Sequence, residues 1–408
     1  MSGNQKTLQE ILEKHPQKKK SILKHLLGTL APLMEKGICG HHIVHRALHD
    51  YLIHAEDDER SDMYDRIQPL LAEMIHTKDG AKCTMMALWA ADAKNRKIIV
   101  RSMKPYVAKI ADEEYGHSAL CALFDCVDDT VLVTKQIIAP LLESLDDVWD
   151  SNYGRKVLLY LLSPRNSKYF VPEVIATLSG GDGNAYSKKD AAVRQGELRK
   201  TVVPALLKHI AEHASTLVAS GGAATHVVLE AVLAATAETE GLQECAVALA
   251  ATAEKGAIED SGELAKPLLE EETSVMANAA GHRLIQKLLA DGSPMGESLS
   301  SELVQILEGK MGEWASSTRA SFVLMAIFNG PNADAGAAVK SEVKDSLASL
   351  KKSDSKGTVR LLELLKLVKP SAAEAPAPAA AKGAKKKAEG AKTPKRKAAD
   401  KAAGKKKK

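Results

Sequence analysis

Aromatic side chains are scarce in this 408-residue sequence: Phe, Trp and Tyr together make up 4% of it. An all-β sandwich leans on such residues in its strands, so the shortage argues against that class. No run approaches the roughly 18 consecutive apolar residues of a membrane-spanning helix, and no apolar N-terminal stretch has the secretory pattern. A membrane is therefore not an expected partner. Cysteine is also sparse. The five residues Cys39, Cys83, Cys121, Cys126 and Cys245 form no CxxC pair and are odd in number, the pattern of reduced, semi-buried thiols rather than of a disulfide framework. What is present suffices for a core: 45% of residues are hydrophobic and 26% charged, an ordinary globular balance, and the length suggests two to three domains.

The net charge of +4 hides a segregation along the chain. Residues 371–408 hold 13 Lys+Arg against 3 Asp+Glu, whereas the rest of the chain holds 43 against 49. Within that body, 151–210 has 10 basic and 4 acidic residues, and 211–280 has 2 and 12. A basic tail and a basic central block point to a polyanionic partner, most simply nucleic acid.

One pattern recurs: a small residue, two polar positions, three mostly apolar ones, a variable position and two apolar residues. It reads GHHIVHRAL from Gly40, GAKCTMMAL from Gly80, GHSALCALF from Gly116 and GRKVLLYLL from Gly154. It weakens to ATHVVLEAV from Ala224 and returns as GHRLIQKLL from Gly281, ASFVLMAIF from Ala320 and GTVRLLELL from Gly357. The first three intervals are 40, 36 and 38 residues and the last two 39 and 37, with 70 and 57 between. Such a period fits a solenoid of helical pairs, each unit burying its apolar face only against its neighbours. A second amphipathic stretch precedes several motifs, at Tyr64–Ile75, Lys97–Ile110 and Leu132–Leu145, with i, i+3, i+4 apolar spacing. The expected fold class is all-α, each unit a helix, a short turn and a second helix beginning at the small residue. Two segments interrupt the array. Ser179–Gln195 is rich in Gly and polar residues and reads as a long inter-repeat loop, and Gly256–Thr273 is an acidic, irregular insertion. From Lys369 the composition collapses to Ala, Lys and Pro, which cannot bury enough apolar surface to order itself.

Signals for catalysis fail one by one. His41, His42 and His45 beside Cys39 lack a further ligand pair at zinc spacing. Cys121 and Cys126 flank an apolar segment and read as packing residues. Gly180–Asn184 has no preceding strand and no GxxxxGK[ST], so it is a turn. Asp128 and Asp129 are adjacent and cannot act as an acid/base pair from one helix face; they suit a helix start. Neither an enzyme nor a cofactor is expected.

The segments GHRLIQKLL and YGRKVLLYLL resemble the second helix of Pumilio (PUF) repeats. YGRKVLLYLLSPRN with GDGNAYSKKDAAVRQGELRK, GAKCTMMALW and FDCVDDT resemble the Puf-A and Penguin branch of Pumilio-like proteins, and WASSTRASFVLMAIF resembles that branch's C-terminal CPL region. The resemblance spans nearly all of residues 20–368. It implies an α-solenoid organised as an N-terminal helical segment (1–28), Pumilio-type repeats (29–200), CPL-like divergent repeats (201–368) and a disordered basic tail (369–408). Members of the branch carry further repeats before the first one here, so the chain resembles the C-terminal two-thirds of such a protein. The resemblance also implies nucleic-acid binding without strong sequence preference, RNA with DNA as an alternative, a nucleolar address within the nucleus, and a role in ribosome biogenesis (pre-rRNA processing) or translational regulation. Pre-ribosomal proteins are further expected partners, and the chain is expected to be monomeric.

In sequence-reading PUF repeats two side chains four residues apart meet a base edge, and the residue between stacks. The edge pairs here are His41/His45, Ala81/Met85, His117/Cys121, Arg155/Leu159, Thr225/Leu229, His282/Gln286, Ser321/Met325 and Thr358/Leu362. Five have an aliphatic or Met member that makes no specific hydrogen bond, and only His282/Gln286 keeps two full-strength polar ends. The intervening residues are His42, Lys82, Ser118, Lys156, His226, Arg283, Phe322 and Val359. Three are permanently cationic, which suits phosphate contact without base reading. The expected interface is thus a basic face through Lys82, Arg155, Lys156 and Arg283, extended by Lys188, Lys189, Arg194, Arg199 and Lys200, with His41, His42, His45, His282 and Gln286 as further nucleic-acid contacts. In the tail, Lys385, Lys386 and Lys387, then Lys395, Arg396 and Lys397, then Lys405–Lys408, read as nuclear or nucleolar targeting runs with non-specific polyanion contact. The competing reading is a scaffold that grips a basic ribosomal or nuclear protein through its acidic 211–280 region, with nucleic acid touched only by the tail.

Overall fold

The computed structural model describes residues 7–220, 222–254, 279–290, 292–353 and 355–368, all within one compact unit, Met1–Val368. The basic tail, with Lys385, Lys386, Lys387, Lys395, Arg396 and Lys397, and the acidic insertion Gly256–Thr273 lie outside the described residues.

Every recurrence of the motif is a helix: α1 (His42–His54), α2 (Lys78–Ala90), α3 (Gly116–Cys126), α4 (Asn152–Leu162), α5 (Gly222–Ala234), α6 (Ala279–Ala290), α7 (Thr318–Asn329) and α8 (Lys356–Leu364). Each packs against the next in chain order, giving an inner layer of eight parallel neighbours. A second layer backs it. Lys19–Glu35, Asp57–Ile67, Ala93–Met103, Ala191–Ser220, Leu242–Glu254, Pro294–Ile306 and Ala333–Asp345 are joined by successive contacts, with the short helical turns between them completing the ladder. The described residues contain no strand. The molecule is an α-solenoid with one continuous apolar core, and all five cysteines are free and fully buried within it.

The small residue at the head of the motif has a steric cause. A Cβ on Gly80 would lie 1.9 Å from the Met74 carbonyl oxygen, and one on Gly154 would lie 2.1 Å from that of Val148. In both, the chain turns back six residues after that carbonyl and presses the new helix onto it. Thr77 and Ser151 complete the turn: their hydroxyls accept from the Gly80 and Gly154 amides at 3.0 Å, which satisfies donors that the first helical turn leaves open. Most inner helices therefore start one or two residues before the small position rather than at it.

The amphipathic stretches before α2 and α3 are not single helices. Asp57–Ile67 passes into a 3-10 turn at Gln68–Leu70 and resumes at Leu71–Met74; Ala93–Met103 does the same through Lys104–Tyr106. Pro69 and Pro105 stand at the breaks, where proline removes a backbone donor and clashes with the preceding turn.

The segment 163–190 departs furthest from expectation. Before the expected loop it contains a helix, Pro172–Leu178; the loop itself opens with a 3-10 turn, Ser179–Gly181, is irregular over 182–190 and ends earlier than expected, since Ala191 already opens the long outer helix. Pro172–Leu178 packs across α3, and the turn touches both α2 and α3. Gly181 lies under the Trp89 indole so closely that a Cβ would be 2.2 Å from Nε1. Arg96 donates to the carbonyls of Leu88 (3.0 Å) and Cys126 (2.6 Å) and to Asn184 Oδ1 (2.7 Å). Arg165 bridges Asp125 and Asp182, each at 2.7 Å. The Gly154→Ala variant is expected to unfold at lower urea concentration, with a loss of about 1–3 kcal/mol from overpacking; an unchanged midpoint would refute the steric account of the motif.

Candidate nucleic-acid interface

Counting from the small residue as position one, the inner helices present three ranks of side chain. The sixth rank is buried in seven of eight repeats: His45, Met85, Cys121, Leu159, Leu229, Met325 and Leu362. The second is buried in five: Ala81, His117, Thr225, Ser321 and Thr358. No member of the third rank is buried. His42, Arg283 and Val359 are exposed, and Lys82, Ser118, Lys156, His226 and Phe322 are half-buried. Neighbouring inner helices touch through the would-be base-reading positions, and the third rank faces outward.

Several expected contact residues are corrected by this geometry. His45 is fully buried, with Nδ1 2.7 Å from Thr77 Oγ1 and Nε2 on the Cys39 carbonyl; both ring nitrogens are engaged inside the core. Arg155 directs its guanidinium to the carbonyls of Trp149 (2.5 Å) and Asp150 (3.1 Å) and to Asn152 Oδ1 (2.5 Å), tying down the turn before α4. Arg194, with a side chain only 4% exposed, pairs with Asp128 at 2.7 Å, and Lys189 pairs with Glu197 at 2.6 Å. Lys188 is exposed, but its amide donates to Asp128, placing it on the insertion rather than in the third rank. In the His282/Gln286 edge pair, His282 Nε2 sits 3.0 Å from the Arg319 carbonyl and 2.9 Å from the Gln286 amide nitrogen, so the pair is turned on itself and on the next repeat. His41 and His42 are exposed at the head of α1.

The remaining basic residues converge. A cleft of about 350 Å³ opens between the heads of α2, α3 and α4 and the overlying Pro172–Leu178 helix, lined by Lys78, Lys82, Tyr115, Ser118, Tyr153, Lys156 and Glu173. A second cleft shares Tyr153 and Lys156 with it and adds Lys168, Tyr169 and His226, so the two form one groove. Lys156 Nζ stands 5.0 Å from the Tyr153 ring centroid, and Lys168 Nζ 4.6 Å from that of Tyr169. Burial and then the charges of Lys168 and Lys287 push the His226 imidazole below its usual range, and Lys287 likewise lowers Lys168 after burial. Those couplings carry the track on to α6, where Arg283, Lys287 and Phe322 line the next hollow. Among the described residues, Lys82, Lys156, Lys168, Arg283 and Lys287 have no carboxylate within 4.0 Å. Glu114, Glu173 and Glu230 border the groove; Glu230 is held by the Tyr169 hydroxyl.

Chemically, the groove offers ammonium groups beside tyrosine faces, which serve phosphates and unpaired bases respectively. Lys168, Tyr169 and Lys287 escape a reading of motif phase: the first two sit on the insertion, and Lys287 occupies the variable seventh position. Tyr115 and Tyr153 had a signal, since both immediately precede the motif glycine. No helix among the described residues is long and apolar enough to cross a membrane.

A family model described as the CPL (NUC119) domain matches residues 150–298. The crystal structure of human Puf-A superimposes with a TM-score of 0.75 at 34% identity, covering 89% of this chain and 70% of that one. This chain belongs to the Puf-A family of Pumilio-like proteins. Pumilio homolog 3 of Danio rerio is 35% identical over 367 residues, 88% of this chain and 57% of that protein, so the chain spans little more than half of that Puf-A relative's length. Human Puf-A in complex with DNA matches with a TM-score of 0.73 and 34% identity, covering 89% of this chain and 69% of that one. The RNA-binding domain of yeast Puf5p bound to SMX2 RNA shares the fold, with a TM-score of 0.52 at 16% identity, over 81% of this chain and 82% of that one.

One wall of this Puf-A groove is pH-sensitive. His117 stacks on Tyr153 with ring centroids 5.1 Å apart, and burial, then the charge of Lys156, lowers its pKa to about 4. Its folded pKa lies below the unfolded value of about 6.5, so the unfolded chain takes up the proton first as the pH drops. The associated stability is complete above about pH 6.5 and falls as the pH approaches about 4. Thermal melts should show this loss, on the order of 3 kcal/mol at its end, and His117→Gln should flatten it; an equal acid slope in that variant would remove His117 as the cause.

Proposed function

We propose that this protein binds nucleic acid along the groove at the heads of its inner helices, chiefly through the phosphate backbone and with little sequence preference. The observation that carries this reading is the contrast between ranks. Most edge positions are buried between helices, while Lys82, Lys156 and Arg283 stand in the open rank and are joined by Lys168 and Lys287. Phosphate contacts position a strand without reading it, and the tyrosines accept any base because every base has a π-face. The complexes of human Puf-A with DNA and of yeast Puf5p with RNA support both polymers as ligand classes. We extend the reading to a nucleolar protein acting on pre-ribosomal RNA or in translational control, a role supported by family membership and by the Lys-rich runs of the tail.

A scaffold for a basic protein is the second reading, favoured by the exposed carboxylates of Glu238, Glu240 and Glu244 around the start of the Leu242–Glu254 helix. The two separate in one experiment on the full chain and on a chain ending at Val368. Substituting Lys82→Gln and Lys156→Gln in either is expected to weaken binding equally for RNAs of unrelated sequence and to reduce the slope of log K against log salt by about 1 per lysine. Loss of all binding on tail removal, with no effect of the two substitutions, would select the scaffold.

A further inference from the structure

The histidines that stand out in the sequence are not those the fold brings together. His45 has both nitrogens occupied in the core, so the cluster at the head of α1 offers no set of converging lone pairs. A different set converges where Leu145–Asp150, the segment leading into α4, meets the outer helix Ala191–Ser220. His209 Nδ1 lies 3.4 Å from Asp146 Oδ1, and His213 Nε2 lies 3.9 Å from the same oxygen. All three donor atoms fall within 4.8 Å of one another. We propose that Asp146, His209 and His213 form a binding site for a first-row transition dication of the zinc type.

The spacing supports this. Zinc bonds of about 2.0–2.2 Å to nitrogen and carboxylate oxygen give a tetrahedron with edges of about 3.3–3.5 Å. The His209–Asp146 separation already matches one edge, and the His213–Asp146 separation needs to shorten by only about 0.5 Å. The side chains that must move are free to do so: Asp146 is 82% exposed and His213 48%, whereas His209 is 8% exposed and fixed. His213 also departs from helical backbone geometry, with φ −120° and ψ 20°, so the break in the outer helix falls at the ligand itself. The imidazole rings lie 4.7 Å apart, one helical turn from each other.

Donor type sets the ligand class. Two imidazoles and one carboxylate favour zinc, cobalt, nickel or copper over magnesium or calcium, which prefer oxygen cages. Three protein ligands leave a fourth position for water. Asp146, Glu212 and Asp150 add negative potential at the site. A bound ion would staple the long outer helix to the entry of α4, the place where the regular repeat spacing first stretches. Binding to the folded state alone also raises thermal stability.

Trp149 supplies a built-in reporter, because its ring is 4.9 Å from that of His209. The full chain is titrated with Zn²⁺ by calorimetry, with Co²⁺ by visible absorption and with Cu²⁺ by tryptophan fluorescence. One saturable equivalent of Zn²⁺, a tetrahedral Co²⁺ spectrum and quenching by Cu²⁺ are expected, with Mg²⁺ unable to compete. His213→Gln and Asp146→Asn change exposed side chains and should leave the metal-free melt unaltered while weakening Zn²⁺ by about tenfold or more each. Trp149→Phe should remove most of the quench but keep the calorimetric signal. Absence of saturable Zn²⁺ binding, displacement by Mg²⁺, or equal Zn²⁺ affinity in the double variant would each overturn the site.

Discussion

The lateral packing of eight inner helices is the constraint on which the rest of the molecule depends. A solenoid unit cannot bury its apolar face alone, so each inner helix must offer one flank to the unit before it and the other to the unit after. In this chain those flanks take up the sixth motif position almost everywhere and the second in most repeats. Side chains at these positions are selected for volume and for satisfaction inside a core, as His45 and Thr358 show with hydrogen bonds that close within the protein. The third position is left as the outward rank, and its chemistry is mainly cationic or neutral rather than base-reading.

Electrostatics follow from the same packing. The basic character of 151–210 looks like a ready-made polyanion surface, yet Arg155, Arg165, Lys189 and Arg194 are already tied to acceptors within the protein. Arg165 and Arg194, with Arg96 from an earlier repeat, hold the insertion against the C-terminal ends of α2 and α3. A buried guanidinium must be matched by a carboxylate or carbonyl to offset its desolvation, and Asp125, Asp128 and Asp182 supply those partners. The cations left for a ligand are those without such a partner: Lys82, Lys156 and Arg283 in the first two turns of their inner helices, Lys168 on the insertion and Lys287 in the last turn of α6. Local net charge is therefore a weaker guide to the interface than helix phase.

The insertion shapes the interface as well as consuming charge. Pro172–Leu178 forms one wall of the main cleft, Phe170 packs edge-on to Tyr160 with centroids 5.2 Å apart, and Lys168 and Tyr169 extend the groove toward α5. Where it overlies α2, α3 and α4, the insertion leaves chiefly the first turns of those helices to line the cleft. Two of the quoted blocks that resemble that branch, YGRKVLLYLLSPRN and GDGNAYSKKDAAVRQGELRK, are the ones that build and anchor the insertion.

The helical repeat, its period and the phase of its outward rank were legible in the sequence, because a one-dimensional array repeats the same local contacts and so prints its periodicity on the chain. Lys82, Lys156 and Arg283 could be placed for that reason. What the tertiary structure alone decided concerns pairs distant in sequence. Arg194 finds Asp128, His45 finds Thr77, Arg155 turns to the carbonyls before its own helix, and Asp146 meets His209 and His213. Whether a polar side chain faces solvent or a buried partner depends on which segment lies over it, and no periodicity encodes the path of a single, unrepeated insertion.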